Sequence, residues 1–248
     1  MRKLIYAFSA LALLFASCSS DSDSGSSSDN SSGNLLKKTV TGAYVMNFNY
    51  NGTKLVSAID NDSEEVDLYF TYTGDNITKI EYKTNDGTVD QIDNYNYNSE
   101  GKLISYVRLD PGMDWGNKEV YTYNADGTVS VEHYIGDTVE QTQLNNTGKI
   151  FFTNGEVTKI EEYEGGVTTS TIVYTHDSAN GAMKNITGMG KIAFAGGYAD
   201  SIAHNILTEV SSVEGTITNV YTYNSANYPV ICVTTDIDGE ETTQFFYE

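Results

Sequence analysis

One pattern constrains this chain more than any other: aromatic, any residue, aromatic, then a polar turn with glycine, then a new alternating run. It occurs as Tyr95-Asn96-Tyr97-Asn98-Ser99-Glu100-Gly101 and as Tyr121-Thr122-Tyr123-Asn124-Ala125-Asp126-Gly127. A third copy is Tyr221-Thr222-Tyr223-Asn224, with Pro229 opening the next run. Shortened copies are Phe48-Asn49-Tyr50-Asn51-Gly52, Phe70-Thr71-Tyr72-Thr73-Gly74 and Tyr174-Thr175-His176-Asp177. Aromatics at i and i+2 share one face of a strand, where they meet cross-strand neighbours. The Asn or Asp that follows accepts local backbone hydrogen bonds, and glycine takes the positive φ of a tight hairpin. The second aromatic falls at 50, 72, 97 and 123, spacings of 22, 25 and 26 residues, which fit two strands and two turns per repeat.

The same turn chemistry recurs at Asn85-Asp86-Gly87, Asn154-Gly155, Gly165-Gly166 and Asp238-Gly239. Runs such as Val66-Asp67-Leu68-Tyr69-Phe70-Thr71-Tyr72 alternate with period two. Residues 35–248, at about 13 per strand and turn, predict roughly 16 strands in one all-β domain. A meander that long must protect its edges, so the expected architecture is an antiparallel up-and-down barrel or a strongly curved sheet. The exterior reads as water-soluble: Ile77-Thr78-Lys79-Ile80-Glu81-Tyr82 puts Lys79 and Glu81 on one face, where a lipid-facing strand needs apolar residues. Between His176 and Asn205 the rhythm is lost, and Ala193, Ala195, Ala199 and Ala203 cluster. Asp200 or Ser201 could cap a helical turn there, and such an insertion either covers a barrel end, forms a binding loop or simply crosses over.

The N-terminus supplies an address. Arg2 and Lys3 precede the apolar run Leu4 to Phe15, too short to span a bilayer and laid out as a secretory signal. Leu14-Phe15-Ala16-Ser17-Cys18 resembles a bacterial lipobox, with Phe15 where an aliphatic residue is usual; the resemblance implies cleavage before Cys18 and lipidation of its thiol. Residues 1–17 are then the signal, and 18–34 the lipidated Cys and a tether. From Ser19 to Asn34 the composition is nine Ser, three Asp, two Asn and two Gly, which supplies no core and reads as a flexible spacer. The pattern Ser19-Ser20-Asp21-Ser22-Asp23 resembles the export tag that sends Bacteroidota lipoproteins to the outside of the outer membrane.

Signal, Ser/Asp tether and degenerate Tyr-x-Tyr-Asn-x-x-Gly hairpins together resemble Bacteroidota lipoproteins built on a domain of unknown function with a porin-like β fold. The resemblance implies a rolled antiparallel sheet, an outer-membrane lipid anchor and no known activity. The hairpins are also similar to the YD repeats of Rhs-type shell proteins, with Asn mostly replacing that motif's Asp and a chain far too short for their cocoon.

Charge and chemistry exclude several function classes. After signal removal 12 basic residues face 34 acidic ones, a net charge of −22, which argues against nucleic acid and anionic headgroups as partners. His133, His176 and His204 show no zinc-ligand spacing, and His176 stands at a tyrosine position of the repeat. The chain has no nucleophile elbow and no phosphate loop, and Cys232 lies in the apolar run Val230-Ile231-Cys232-Val233. Asp60-Asn61-Asp62-Ser63-Glu64-Glu65 lacks the glycine and final glutamate of a calcium loop, so it reads as a solvated turn. No cofactor or metal is expected. Glu161-Glu162 and Glu240-Glu241 are adjacent carboxylates, which a strand sends to opposite faces. Asp137-Thr138-Val139, Asp177-Ser178-Ala179 and Asp200-Ser201-Ile202 are short matches to a Bacteroidota O-glycosylation pattern.

The expected function is therefore a non-enzymatic binding module on the cell surface, with a glycan or an envelope protein as ligand. Trp115, in the long turn Asp110-Pro111-Gly112-Met113-Asp114-Trp115-Gly116-Asn117, could stack on a sugar or fold back on the core. Tyr95, Tyr97, Tyr121 and Tyr123 are the aromatic-ladder residues expected beside it. The alternatives are a carbohydrate-active hydrolase with carboxylates from distant strands, and a purely structural lipoprotein.

Overall fold

The computed structural model describes residues 34–61, 66–200 and 204–248. Cys18, the signal and the tether to residue 33 lie outside them, as do Asp62 to Glu65 and Ser201 to Ala203. The chain runs through β1 (Leu36–Thr41), β2 (Tyr44–Asn51), β3 (Lys54–Asp60), β4 (Asp67–Thr73), β5 (Asn76–Lys83) and β6 (Val89–Tyr97). It continues through β7 (Leu103–Asp110), β8 (Trp115–Tyr123), β9 (Val129–Gly136), β10 (Gln141–Thr153) and β11 (Glu156–Glu164). It finishes with β12 (Val167–His176), β13 (Ile206–Ser211), β14 (Gly215–Tyr223), β15 (Pro229–Thr235) and β16 (Glu240–Tyr247). Each strand pairs antiparallel with its neighbours in sequence, and β1 closes on β16, from Leu36 opposite Tyr247 to Thr41 opposite Thr243. Of the two architectures open to the sequence, the closed barrel is the one formed, and closure removes both free edges.

The repeat motif lies at one end of this barrel. In the turn after β6, Asn98 Oδ1 accepts the amides of Glu100 and Lys102, and Gly101 takes φ +75°. In the third copy Asn227 holds that position at φ +61°, a conformation Asn tolerates better than most residues. In four of the six copies the first aromatic is buried inside the barrel, as Phe48, Tyr95, Tyr121 and Tyr174; Phe70 and Tyr221 are partly buried. The second stands at the rim and does a different job. Tyr50, Tyr97 and Tyr123, and likewise Tyr247 at the end of β16, donate their hydroxyls to the carbonyls of Leu36, Ile77, Leu103 and Pro229, at 2.6, 2.7, 3.0 and 2.9 Å, whereas Tyr223 donates to Asp177. Each of these carbonyls lies two residues beyond the last ladder pair between its strand and the tyrosine's strand. The tyrosine thus satisfies a backbone acceptor that the flaring strands leave behind.

Residues 177–200, in the connection between β12 and β13, close the same end. Thr187 N donates to Thr53 O, Asn180 N to Asn227 O, and Asn185 Nδ2 to Asn34 O, tying the segment across the opening. It then dips inside, where Met183, Ile186, Met189, Ile192 and Phe194 join the core. Phe194 meets Tyr121 and Phe152 edge-on, with ring centroids 5.2 and 5.7 Å away. The segment's one helical piece among the described residues is a 3-10 turn, Met189–Lys191, entered from Gly188 without a side-chain cap. The helical turn expected at Asp200 or Ser201 is not there for Asp200, whose amide instead bonds Ala193 O at 2.6 Å; Ser201 lies outside the described residues. Covering a barrel end is thus what the insertion does, and the apolar filling accounts for Ala193, Ala195 and Ala199; Ala203 lies outside the described residues.

Outside, the alternation leaves charge on β5 and β11. Lys79 pairs with Glu81 at 3.1 Å and Lys159 with Glu161 at 2.7 Å, both on the outward face. Among the described residues no helix is long and apolar enough to cross a membrane, which leaves the strands unaddressed.

Candidate functional site: a polar cavity at the open mouth

The end opposite the plug opens into a cavity of about 300 Å³. Its walls come from β8 to β13 and the turn before β14, and its floor is the tip of the inserted segment, Gly196-Gly197-Tyr198. Four successive strands build one side in register. Glu119 on β8 faces His133 on β9; His133 faces Asn146 on β10; Gly148, two residues on, faces Glu162 on β11. Glu119 Oε1 lies 3.6 Å from His133 Nδ1, and Glu162 Oε1 lies 3.2 Å from Nε2, off the axis a linear hydrogen bond would need. Asn146 Nδ2 donates to Glu162 Oε2 at 3.0 Å. A Cβ on Gly148 would stand 2.9 Å from Glu162 Oε1 and 3.2 Å from His133 Nε2, so only glycine lets the pair meet across that strand.

The two carboxylates are not equivalent. Glu119, 2% exposed, also accepts the Tyr121 hydroxyl and the amide of Gly196, the latter at 3.0 Å. Glu162 keeps about a fifth of its side chain open to the cavity. Burial alone would lower the pKa of His133, but the two carboxylates outweigh it and hold the imidazole up at about 9. At neutral pH the ring is an imidazolium clamped between them.

The other side has acids without a cation. Glu209 on β13 stands in register with the inward Tyr174, and Glu214 follows in the turn before β14. Burial, reinforced by Glu214, pushes Glu209 up to about 7. Asp200 is raised well above the usual carboxylate range, by burial first and then by Glu209, and its Oδ1 is buried without a hydrogen bond. Tyr198, nearly half exposed, lies in the field of Glu214 and Glu209, which together with burial raise its hydroxyl.

Of the residues singled out in the sequence, Trp115 opens β8 opposite Asp110, half-buried at this same rim and two residues from Asn117 of the cavity wall. The tyrosines do not join it. Tyr95 and Tyr121 are inside the barrel at 6% and 4% exposure, and Tyr97 and Tyr123 are the rim residues of the far end, their hydroxyls held by backbone. The ladder expected on a ligand-facing surface is thus internal, because the motif's first aromatic alternates inward and the second caps the plugged end. Cys232 is buried against Asn219. His176 and His204 lie at the plugged end, where His204 Nδ1 meets Glu156 at 3.2 Å. Glu161 and Glu162 do part to opposite faces, outward to Lys159 and inward to His133. Among the described residues no group of three or more His, Cys, Asp or Glu is arranged to hold a metal ion. The cluster of Glu119, His133 and Glu162 was not assembled from sequence, although a signal exists. Each is two residues from a buried apolar or aromatic residue, Tyr121, Val131 and Ile160, and so shares its inward face.

No protein-family model matches the chain, and no curated protein matches it. Solved structures do. The barrel is similar to a porin-like protein from Bacteroides uniformis ATCC 8492, at 14% identity, TM-score 0.51, over 86% of this chain and 95% of that one. It is also similar to a porin-like protein from Bacteroides vulgatus ATCC 8482, at 13% identity, TM-score 0.54, over 87% and 99%. At these identities the likeness is one of fold. The rolled antiparallel sheet is shared.

Proposed function

We propose that this chain is a non-enzymatic, lipid-anchored binding module of the outer membrane, and that it takes a small glycan in the cavity at its open mouth. The observation that carries the reading is the polarity of the barrel. The described chain begins at Asn34 beside the plug, where Asn34 N donates to Glu248 O and Asn34 O accepts from Asn185. The cavity opens at the opposite end, so an anchor at Cys18 would direct the mouth away from the membrane. The walls suit a sugar: amides of Asn117 and Asn145, hydroxyls of Ser170 and Ser211, a tyrosine floor and a tryptophan at the rim. A cavity of about 300 Å³ lies at the small end of ligand sites. The barrel is a cup and not a pore in this reading, because Ile186, Met189, Ile192 and Phe194 fill its lower half. The ion pairs on its exterior support a barrel surrounded by water and held by its lipid.

Two facing carboxylates, Glu119 and Glu162, are what the hydrolase alternative needs, but Glu119 is engaged by Tyr121, Gly196 and His133 and leaves only Glu162 accessible. The test is a thermal-shift screen against host and dietary glycans and peptidoglycan fragments. A ligand that binds the native state raises the melting temperature by mass action. A hit that Trp115→Ala or Glu162→Gln abolishes supports the reading; a flat panel rejects it in favour of a protein partner or a structural role.

A further inference from the structure

The cavity is built with more negative charge than its own cations neutralise. Its lining holds no lysine or arginine, and its one cationic side chain, His133, is already shared between Glu119 and Glu162. Glu214 is exposed at the mouth, and Glu209 stands behind it on the inward face of β13 without an ion pair among the described residues. Carboxylates placed together with no counter-charge repel one another and lose solvation, a cost that folding alone does not recover. Elsewhere in this molecule buried acids are provided for: Asp93 accepts from Tyr82, Tyr106 and Gln91, and Asp110 from Arg108. The mouth is the exception. Between these acids lies Tyr198, whose ring face offers a second attraction for a cation.

We propose that the ligand of this cavity carries a positively charged amine, seated over Tyr198 and between the lining carboxylates Glu214 and Glu162. This rests on the binding-module reading above and narrows its ligand to an amino sugar over a neutral one. Electrostatic focusing in a cleft lined by one sign of charge favours such a ligand in both encounter and residence. The amide and hydroxyl groups of the wall are then left to orient the rest of the molecule.

Isothermal titration of the purified full-length chain at pH 7 tests the proposal, with glucosamine, glucose, N-acetylglucosamine and spermidine as probes. Glucosamine is expected to bind at least tenfold more tightly than glucose or N-acetylglucosamine, since the latter two have the ring without the charge. Glu214→Gln, a substitution at an exposed position, is expected to weaken glucosamine severalfold more than it weakens glucose. Glu209→Gln is a second variant, its folding checked by its melting temperature. Equal affinity for glucosamine and glucose would overturn the amine proposal while leaving the glycan reading standing. Binding of spermidine alone would uphold the cation and remove the glycan. No heat with any of the four would overturn both.

Discussion

The two ends of this barrel are made from the same strands and solve opposite problems. At the plugged end the inward positions are aromatic or aliphatic, four rim tyrosines bond backbone carbonyls, and residues 177–200 fill the space with apolar side chains. At the open end the inward positions on β8 to β13 are Glu119, His133, Gly148, Glu162 and Glu209, and no side chain fills the cavity between them. At the first end these four rim hydroxyls are paired with backbone, while Tyr72 Oη, His176 Nε2 and Asn205 Oδ1 are buried without a hydrogen bond; at the second, charge exceeds its compensation. Proteins tolerate such local excess where a ligand is to be bound, and stabilise it from a well-packed region elsewhere. The plugged end is that region here.

The largest expected effect comes from breaking the packed end. Phe194→Ala removes a buried ring at the centre of the plug and should cost about 3–5 kcal/mol in urea unfolding. A loss below about 1 kcal/mol would mean that the plug contributes little to the packed end.

Next is the pH dependence of the open end. His133 has its pKa raised to about 9, so its contribution is fully present below the unfolded value near 6.5 and is lost as pH rises through 9. Glu209, raised to about 7, acts in the same direction: the fold favours its neutral form, so stability falls as pH rises from its ordinary value near 4.5 to 7. Stability should therefore decline from mildly acid to alkaline pH, with His133 supplying up to about 3 kcal/mol of the change. His133→Gln should flatten the profile between pH 6.5 and 9 and keep the slope below 7. An unchanged upper slope in that variant would show that the imidazolium clamp is not formed.

Gly148→Ala probes the same clamp sterically. Its Cβ would press on Glu162 and His133, and a loss of about 1–2 kcal/mol is expected, together with a lower His133 pKa in an NMR titration. A pKa that does not move would contradict the close approach across β10. The smallest effect belongs to one rim tyrosine. Tyr97→Phe removes the hydroxyl bonded to Ile77 O at 2.7 Å and should cost about 1 kcal/mol with no effect on ligand binding. A variant that instead lost binding would return the rim tyrosines to the functional site.

Much of the packed end was legible in the sequence. The Tyr-x-Tyr-Asn-x-x-Gly spacing marked the hairpins and the inward face, and their number predicted the strand count. What the second tyrosine bonds was not legible, because the acceptor is defined by how far the ladder extends before the strands flare. Phe194 and its neighbours belonged to a stretch without period, whose residues fill a lumen instead of pairing. The open end was harder still. Glu119, His133 and Glu162 are separated by 14 and 29 residues, and only the register across β8 to β11 brings them into one row. Trp115 was visible as the sole tryptophan, and the structure puts it at the mouth's rim; the tyrosines were visible for a reason that proved to be internal packing.

The central claim is that residues 177–200 form a permanent closure of the end at which β1 begins, leaving one open mouth. Native-state hydrogen exchange followed by mass spectrometry tests it directly. The amides of Thr187, Ile192, Gly196 and Ala199, bonded to Thr53 O, Met189 O, Glu119 and Tyr174, should exchange as slowly as those of the flanking strands β12 and β13. Exchange of this segment at the rate of the exposed hairpin turns would contradict the closure, and with it the cup.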